Sequence, residues 1–185
     1  MENSYEIALE YPCAYHKDAV FGYLQEHIGQ GEYSLHGARG LDIALSYEQW
    51  LDTINRASPG ERGDLSSTFF AIRKSDGKLL GTIDIRLKLR TPHEKRLGHI
   101  DYGVRPMERN KGYATGMLRI ALDHCAYLGA ETIFASCSAD CLPARRTIEK
   151  CGGMLKHKDE HLCRYEIAVQ KLPLVCDSDI CRYDR

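Results

Sequence analysis

The stretch that decides the fold is LGHIDYGVRPMERNKGYATGMLRIALDHCAYL, Leu97 to Leu128. Its first part alternates. Ile100, Tyr102 and Val104 fall on one side and His99, Asp101 and Gly103 on the other, the period of a half-buried strand. Pro106 stops that strand. Farther on, Ala114, Met117, Leu118, Ala121, Cys125 and Leu128 recur at helical spacing, and Gly129 stands where a left-handed residue would end the helix. Arg119 and Asp123 lie one turn apart on its polar side. Between strand and helix runs Arg109-Asn110-Lys111-Gly112-Tyr113-Ala114, where Gly112 and Ala114 leave the backbone unobstructed as a helix begins. The first amides of a helix lack partners and carry the positive dipole end, so this turn is a candidate anion seat, with Arg109 and Lys111 adding full charge. Many helices open after a basic Gly turn and bind nothing, so the spacing alone leaves both readings open.

Outward from that centre, Tyr5 to Leu9 reads as a first strand. Asp18 to Ile28 is a helix bearing Val20, Phe21, Leu24 and Ile28, ended by Gly29. Gln30 to Gly40 holds three glycines and no period, so it is a loop, and Ser46 with Gln49 can cap a helix carrying Trp50, Leu51 and Ile54. The breaker cluster at 58–64 precedes a hairpin made of Thr68 to Arg73, an Asp76-Gly77 turn and a long strand from Leu79 to Leu89. A polar turn at 93–96 then leads into the strand at Leu97. After the central helix come a strand at Thr132 to Cys137, a short helix at Pro143 to Cys151 stopped by Gly152-Gly153, and a closing hairpin of Met154 to His157 and Cys163 to Val169. The expected organisation is one domain over residues 1–170 and a C-terminal tail over 171–185. Strands grouped early, with a strand-helix-strand-helix unit in the middle, describe a mixed α+β sheet with helices on its faces.

Of 185 residues, 43% are hydrophobic and 28% charged, the balance of a globular chain. No stretch approaches the roughly 18 apolar residues of a membrane span, and the first ten residues have no signal-peptide pattern, so a cytoplasmic location is the expectation. Eight cysteines scattered over element interiors read as reduced, mostly buried thiols. Cys137, Cys141, His157, His161 and Cys163 match no common zinc spacing, and no metal is expected. Twenty-five basic against 26 acidic residues argue against a nucleic-acid partner. The charge is nevertheless uneven: Arg86 to Arg119 holds nine basic and three acidic residues, a surplus around the proposed anion seat.

Arg109-x-x-Gly112-x-Ala114 after a strand resembles the Arg/Gln-x-x-Gly-x-Gly/Ala signature of the GNAT superfamily of N-acetyltransferases. The segments GHIDYGVRP, RNKGYAT and RRTIEKCGG resemble one subgroup of it, as do LHGARGL (35–41), TFFAIRK (68–74) and GTIDIR (81–86). The resemblance implies a mostly antiparallel central sheet flanked by helices, in which two strands, here Leu97 to Val104 and Thr132 to Cys137, splay to form a coenzyme A cleft. It implies acetyl-CoA as co-substrate and a small-molecule or peptide amine as acceptor, with a homodimer left open as the assembly. A non-catalytic acyl-CoA-binding module is the alternative. The cofactor residues it implies are Val104, Arg105, Arg109, Asn110, Lys111, Gly112, Tyr113, Ala114 and Thr115, with Cys141 and Arg145 on the next helix. Arg86 is implied as an orienting group for a carboxylate or the acceptor, or else as a strand-edge ion pair. Acyl transfer to an amine needs positioning, oxyanion donors and a base rather than a covalent nucleophile. The candidate catalytic residues are His99, Asp101 and Tyr102, with His99 nearest to neutral titration. Two departures stand out. Cys141-Leu142-Pro143-Ala144 replaces the family's Asn-x-x-Ser/Ala, and Ile148 replaces the Tyr that protonates the leaving thiolate.

Overall fold

The computed structural model describes residues 6–56 and 66–169, so the cluster at 58–64 and the tail at 171–185 lie outside the described residues. In chain order the elements are β1 (Ile7–Glu10), α1 (Lys17–Gly29), α2 (Tyr47–Arg56), β2 (Ser66–Arg73), β3 (Leu79–Arg86), α3 (Pro92–Leu97), β4 (Ile100–Val104), α4 (Tyr113–Tyr127), β5 (Thr132–Ser138), α5 (Leu142–Lys150), β6 (Met154–Lys158) and β7 (Leu162–Ala168). The strands form one sheet in the order β1-β2-β3-β4-β5-β7-β6, antiparallel except for β4 beside β5.

Each face of the sheet carries a core. On one, Ile83, Ile85, Ile100 and Val104 pack against Met117, Leu118, Ala121 and Cys125 of α4 and Ile148 of α5. This is the period-3.6 stripe read from sequence meeting the period-2 stripe of the strands. On the other, Phe70 and Ile72 pack against Val20 and Tyr23 of α1, Trp50 and Ile54 of α2, and Leu35, Ala38 and Leu41 of the connecting loop. In α1 the buried face is Val20, Tyr23 and His27, whereas Phe21 and Ile28 are exposed. Among the described residues no helix is long and apolar enough to cross a membrane.

Three local expectations are corrected. The polar run at 93–96 is helical: Thr91 accepts from the Glu94 amide at 3.1 Å while Glu94 accepts from the Thr91 amide at 2.9 Å, a capping box with Pro92 in the first turn. Gly98 ends α3 at φ +91, so the central strand starts at Ile100 rather than Leu97. Strand β3 stops at Arg86 rather than Leu89, because its neighbours reach no farther than Ser66 and His99 among the described residues.

The feature that positions the site is the parallel seam. Strands β4 and β5 share one Cα pair, Ile100 with Ala135, after the His99 amide donates to the Phe134 carbonyl at 2.7 Å. Beyond it β4 follows β3 from Asp101 to Val104, and β5 follows β7 from Ser136 to Ser138. The two strands part into a wedge whose facing backbone edges have no ladder between them. The turn into α4 lies at its wide end.

Candidate active site

The wide end is built from backbone. Asn110 at φ +63 and Gly112 at φ +86 are both left-handed, which curls the chain immediately ahead of α4. The first helical bond runs from the Gly116 amide to the Gly112 carbonyl at 3.1 Å, so the amides of Tyr113, Ala114 and Thr115 have no intrahelical acceptor. A Cβ on Gly112 would meet nothing within 4 Å, which shows that this position faces open space.

The side chains around that turn are occupied. Arg109 grips Glu32 with both terminal nitrogens (2.5 and 2.6 Å) and donates through Nε to the Val104 carbonyl at 3.0 Å. That grip holds the Glu32 carboxyl down at about 2. Lys111 donates to Glu108 at 2.9 Å, and the buried Glu108 also receives Lys78 at 2.5 Å and Arg73 at 3.2 Å. Lys78 foremost, then Lys111, hold Glu108 at about 2. Arg105 is turned to α1, where it binds Glu26 at 2.5 Å and the Gly22 carbonyl at 3.2 Å. At this end of the basic run Arg105, Arg109 and Lys111 are therefore matched by acids from α1, its following loop and the turn itself. The Tyr113 ring is buried, with its hydroxyl beside Arg73 at 3.3 Å. On α5, Cys141 is exposed, Arg145 donates to the Tyr165 hydroxyl at 3.3 Å, and Ile148 is in the core. Of the six described cysteines only Cys125 and Cys163 are buried.

The closed end of the wedge is different. Here the loop Leu35–Leu41 is pressed onto β3 and β4. Gly37 at φ +70 donates its amide to Asp101 Oδ2 at 2.9 Å, and a Cβ there would strike the Asp101 carbonyl and the Tyr102 Cα, each 2.8 Å away. Thr82 Oγ1 donates to the His36 carbonyl at 2.8 Å, and Trp50 Nε1 donates to the Ala38 carbonyl at 3.0 Å. So pinned, the loop holds His36 with Nδ1 3.4 Å from Asp101 Oδ1 and its ring largely exposed. Asp101 faces Asp84 across the β3–β4 pair. Burial pushes the Asp84 carboxyl up against the pull of Arg86 and Arg39. Burial acts on Asp101 too, but the His36 and Gly37 hydrogen bonds outweigh it and hold its carboxyl low. Asp101 in turn raises the His36 pKa. With Nδ1–H directed at Asp101, Nε2 of the neutral ring is the free lone pair.

The sequence-predicted catalytic residues separate as alternation requires, with Asp101 on the loop side and Tyr102 packed toward α4 and α5. The Tyr102 hydroxyl donates to the Ala144 carbonyl at 3.5 Å, and burial pushes its pKa up, so it stays protonated. His99 accepts the Phe134 amide on Nδ1 at 2.9 Å, and burial lowers its pKa. The proton of the neutral ring therefore sits on Nε2, leaving no basic nitrogen free. No periodicity or spacing in the sequence marks His36 or Asp84 as a site residue. His36 lies in an aperiodic loop 65 residues from its partner in the chain, and its one signal was its place between Leu35 and Gly37 in LHGARGL.

A family model described as an acetyltransferase (GNAT) domain matches residues 16–154. No curated protein sequence matches the chain. Among solved structures, the ribosomal-protein alpha-N-acetyltransferase RimL in complex with coenzyme A is 12% identical, with a TM-score of 0.68 over 90% of this chain and 96% of that one. The microcin C7 self-immunity acetyltransferase MccE, in complex with acetyl-CoA and AMP, is 15% identical, with a TM-score of 0.64 over 89% and 93%. Spermidine N-acetyltransferase from Vibrio cholerae, in complex with CoA and spermine, is 13% identical, with a TM-score of 0.63 over 90% and 98%. At these identities the likeness is one of fold.

Proposed function

Because the chain belongs to the GNAT acetyltransferase family, we propose that it moves an acetyl group from acetyl-CoA to a primary amine of a small molecule or peptide. The observation that carries this reading is the wedge itself, with open helix amides at its wide end and the His36–Asp101 pair at its apex. The coenzyme diphosphate takes the amides of Gly112 to Thr115, with Asn110 shaping the turn. The pantetheine follows the edge of β4 that faces β5 from Asp101 to Val104, where Arg109 already occupies the Val104 carbonyl.

Asp101 orients His36, and His36 Nε2 accepts a proton from the acceptor ammonium or from the amine as it attacks. The amine nitrogen forms a bond to the thioester carbonyl carbon, the carbon–sulfur bond breaks, and sulfur departs as a thiolate. Ile148 has no proton to give, so the thiolate takes its proton from solvent, while Tyr102, kept protonated by burial, can donate a hydrogen bond to that sulfur without ionising. A base whose pKa is raised works only when deprotonated, so the rate climbs as pH rises through the neutral range.

Exposed Cys141 and buried Ile148 favour a second reading, an acyl-CoA-binding module without turnover. The test is release of free coenzyme A thiol from acetyl-CoA across a panel of amines. Amine-dependent release supports transfer. Acetyl-CoA binding without release with any amine supports the module, and absence of binding at millimolar acetyl-CoA rejects both.

A further inference from the structure

On the loop face of the sheet, beside Asp84 and toward the start of α3, lies a pocket of about 110 Å³ lined by Arg39, Arg86, Lys88 and Arg90, with Ser66 and Glu94. Its lining is strongly cationic. Glu94 is committed to capping α3, receiving the amides of Arg90 at 2.7 Å and Thr91 at 2.9 Å. Asp84, buried behind the pocket, lies 3.2 Å from Arg86 Nε and 3.8 Å from Arg39, so one carboxylate faces two guanidinium groups. The Arg86–Asp84 contact is close enough for an ion pair but misaligned for a hydrogen bond, and both Nε and Nη2 of Arg86 are buried without an acceptor. A buried donor left unmade is costly, and donors to charged partners are the strongest case. Arg39 is held at φ +47, a strained conformation for a side-chain-bearing residue, with its carbonyl fixed by Trp50 at 3.3 Å and its guanidinium on Ser66. Such strain concentrates at functional sites. The volume holds about three or four waters, which is also room for one carboxylate or phosphate group.

The pocket adjoins the apex of the wedge. The Arg86 amide bonds the His99 carbonyl at 2.7 Å, one residue before the β4–β5 pair ends, and Arg39 is two residues beyond the Gly37 amide that holds Asp101. We infer that the acceptor amine carries an anionic group, carboxylate or phosphate, which docks in this pocket between Arg39 and Arg86 and presents the amine to His36. This rests on the acetyltransferase reading and names its substrate class. It also makes a polycationic acceptor a poor fit, because the guanidinium groups of Arg39 and Arg86, which share one carboxylate, repel it.

Matched acceptors test it: an α-amino acid against its decarboxylated amine, and O-phosphoethanolamine against ethanolamine, with spermidine as the polycation. The anionic member of a pair should be favoured in kcat/KM by about tenfold or more, the scale of one charge-assisted contact, mainly through KM. Which pair shows the preference identifies carboxylate or phosphate. R86M should erase the preference, and K88M, an exposed position, should reduce it without disturbing the fold. In parallel, binding of inorganic phosphate and of succinate to the protein without acetyl-CoA is followed by calorimetry. Saturable binding of either ion, weakened in K88M and lost in R86M, supports the pocket even in a preparation with no turnover. Equal or better use of the neutral amines or spermidine overturns the inference, as does failure of both ions to bind.

Discussion

The two ends of the wedge solve electrostatics in opposite ways. At the wide end Arg105, Arg109 and Lys111 are each bound to a carboxylate, from Glu26, Glu32 and Glu108, and the open groups are backbone amides. At the apex the backbone is tightly bonded, while Arg39 and Arg86 share the single carboxylate of Asp84, two Arg86 nitrogens lack a hydrogen-bond acceptor, and the His36 ring is exposed. A diphosphate shared by every turnover is well served by fixed dipoles that need no rearrangement. An acceptor that must be selected is better recognised by side chains whose charge is not already neutralised.

The largest expected effect is on turnover at the apex. H36A should lower kcat by about 10²-fold or more at neutral pH, the usual scale of a positioned base, with acetyl-CoA affinity unchanged. D101N should lower it as well and move the lower pH limb downward, because Asp101 raises the His36 pKa. H99A should leave that limb in place. A kcat that falls from pH 6 to 8.5 in folded protein contradicts this assignment.

Next in size is G112W. The left-handed backbone there costs a side-chain-bearing residue about 1–2 kcal/mol, and the indole covers the amides, so coenzyme A affinity should drop by about tenfold or more. Unchanged affinity in a folded G112W protein would remove the seat from the wide end.

Glu108 should matter for stability rather than binding. Its folded pKa of about 2 lies below the ordinary 4.5, so its contribution is present above pH 4.5 and is lost as pH falls toward 2. E108Q should cost about 1–3 kcal/mol at neutral pH and show a shallower acid-induced loss of Tm. A native-like E108Q melting profile at every pH would mean that the cation cluster is indifferent to that charge.

Smallest is the effect of R109M or K111M on coenzyme A affinity. Both cations belong to partly exposed pairs, worth about 0.2–1 kcal/mol, so each change should be less than about fivefold with little effect on the salt slope. A clear drop in the salt slope of coenzyme A binding would show that these side chains leave their carboxylates to meet the diphosphate, and the contrast between the two ends would narrow.

Local pattern carried much of this protein. The stripe Met117, Leu118, Ala121 and Cys125 became the α4 core, Ser46 caps α2 by accepting the Gln49 amide at 3.2 Å, and Gly112 opens α4 as its position implied. These depend on neighbours within one or two turns, which is the range over which hydrophobic period and capping act. Even the missed α3 had its Thr91-Pro92-x-Glu94 signature, hidden only because no apolar stripe accompanies it. What the sequence could not decide was which charges remain available. The count from Arg86 to Arg119 was correct, yet Glu26 and Glu32 lie far back in the chain and neutralise its seat end. His36, meanwhile, finds Asp101 only when the loop folds onto β4. Coulomb pairing and burial depend on distance in space, and a count along the chain contains no such distances.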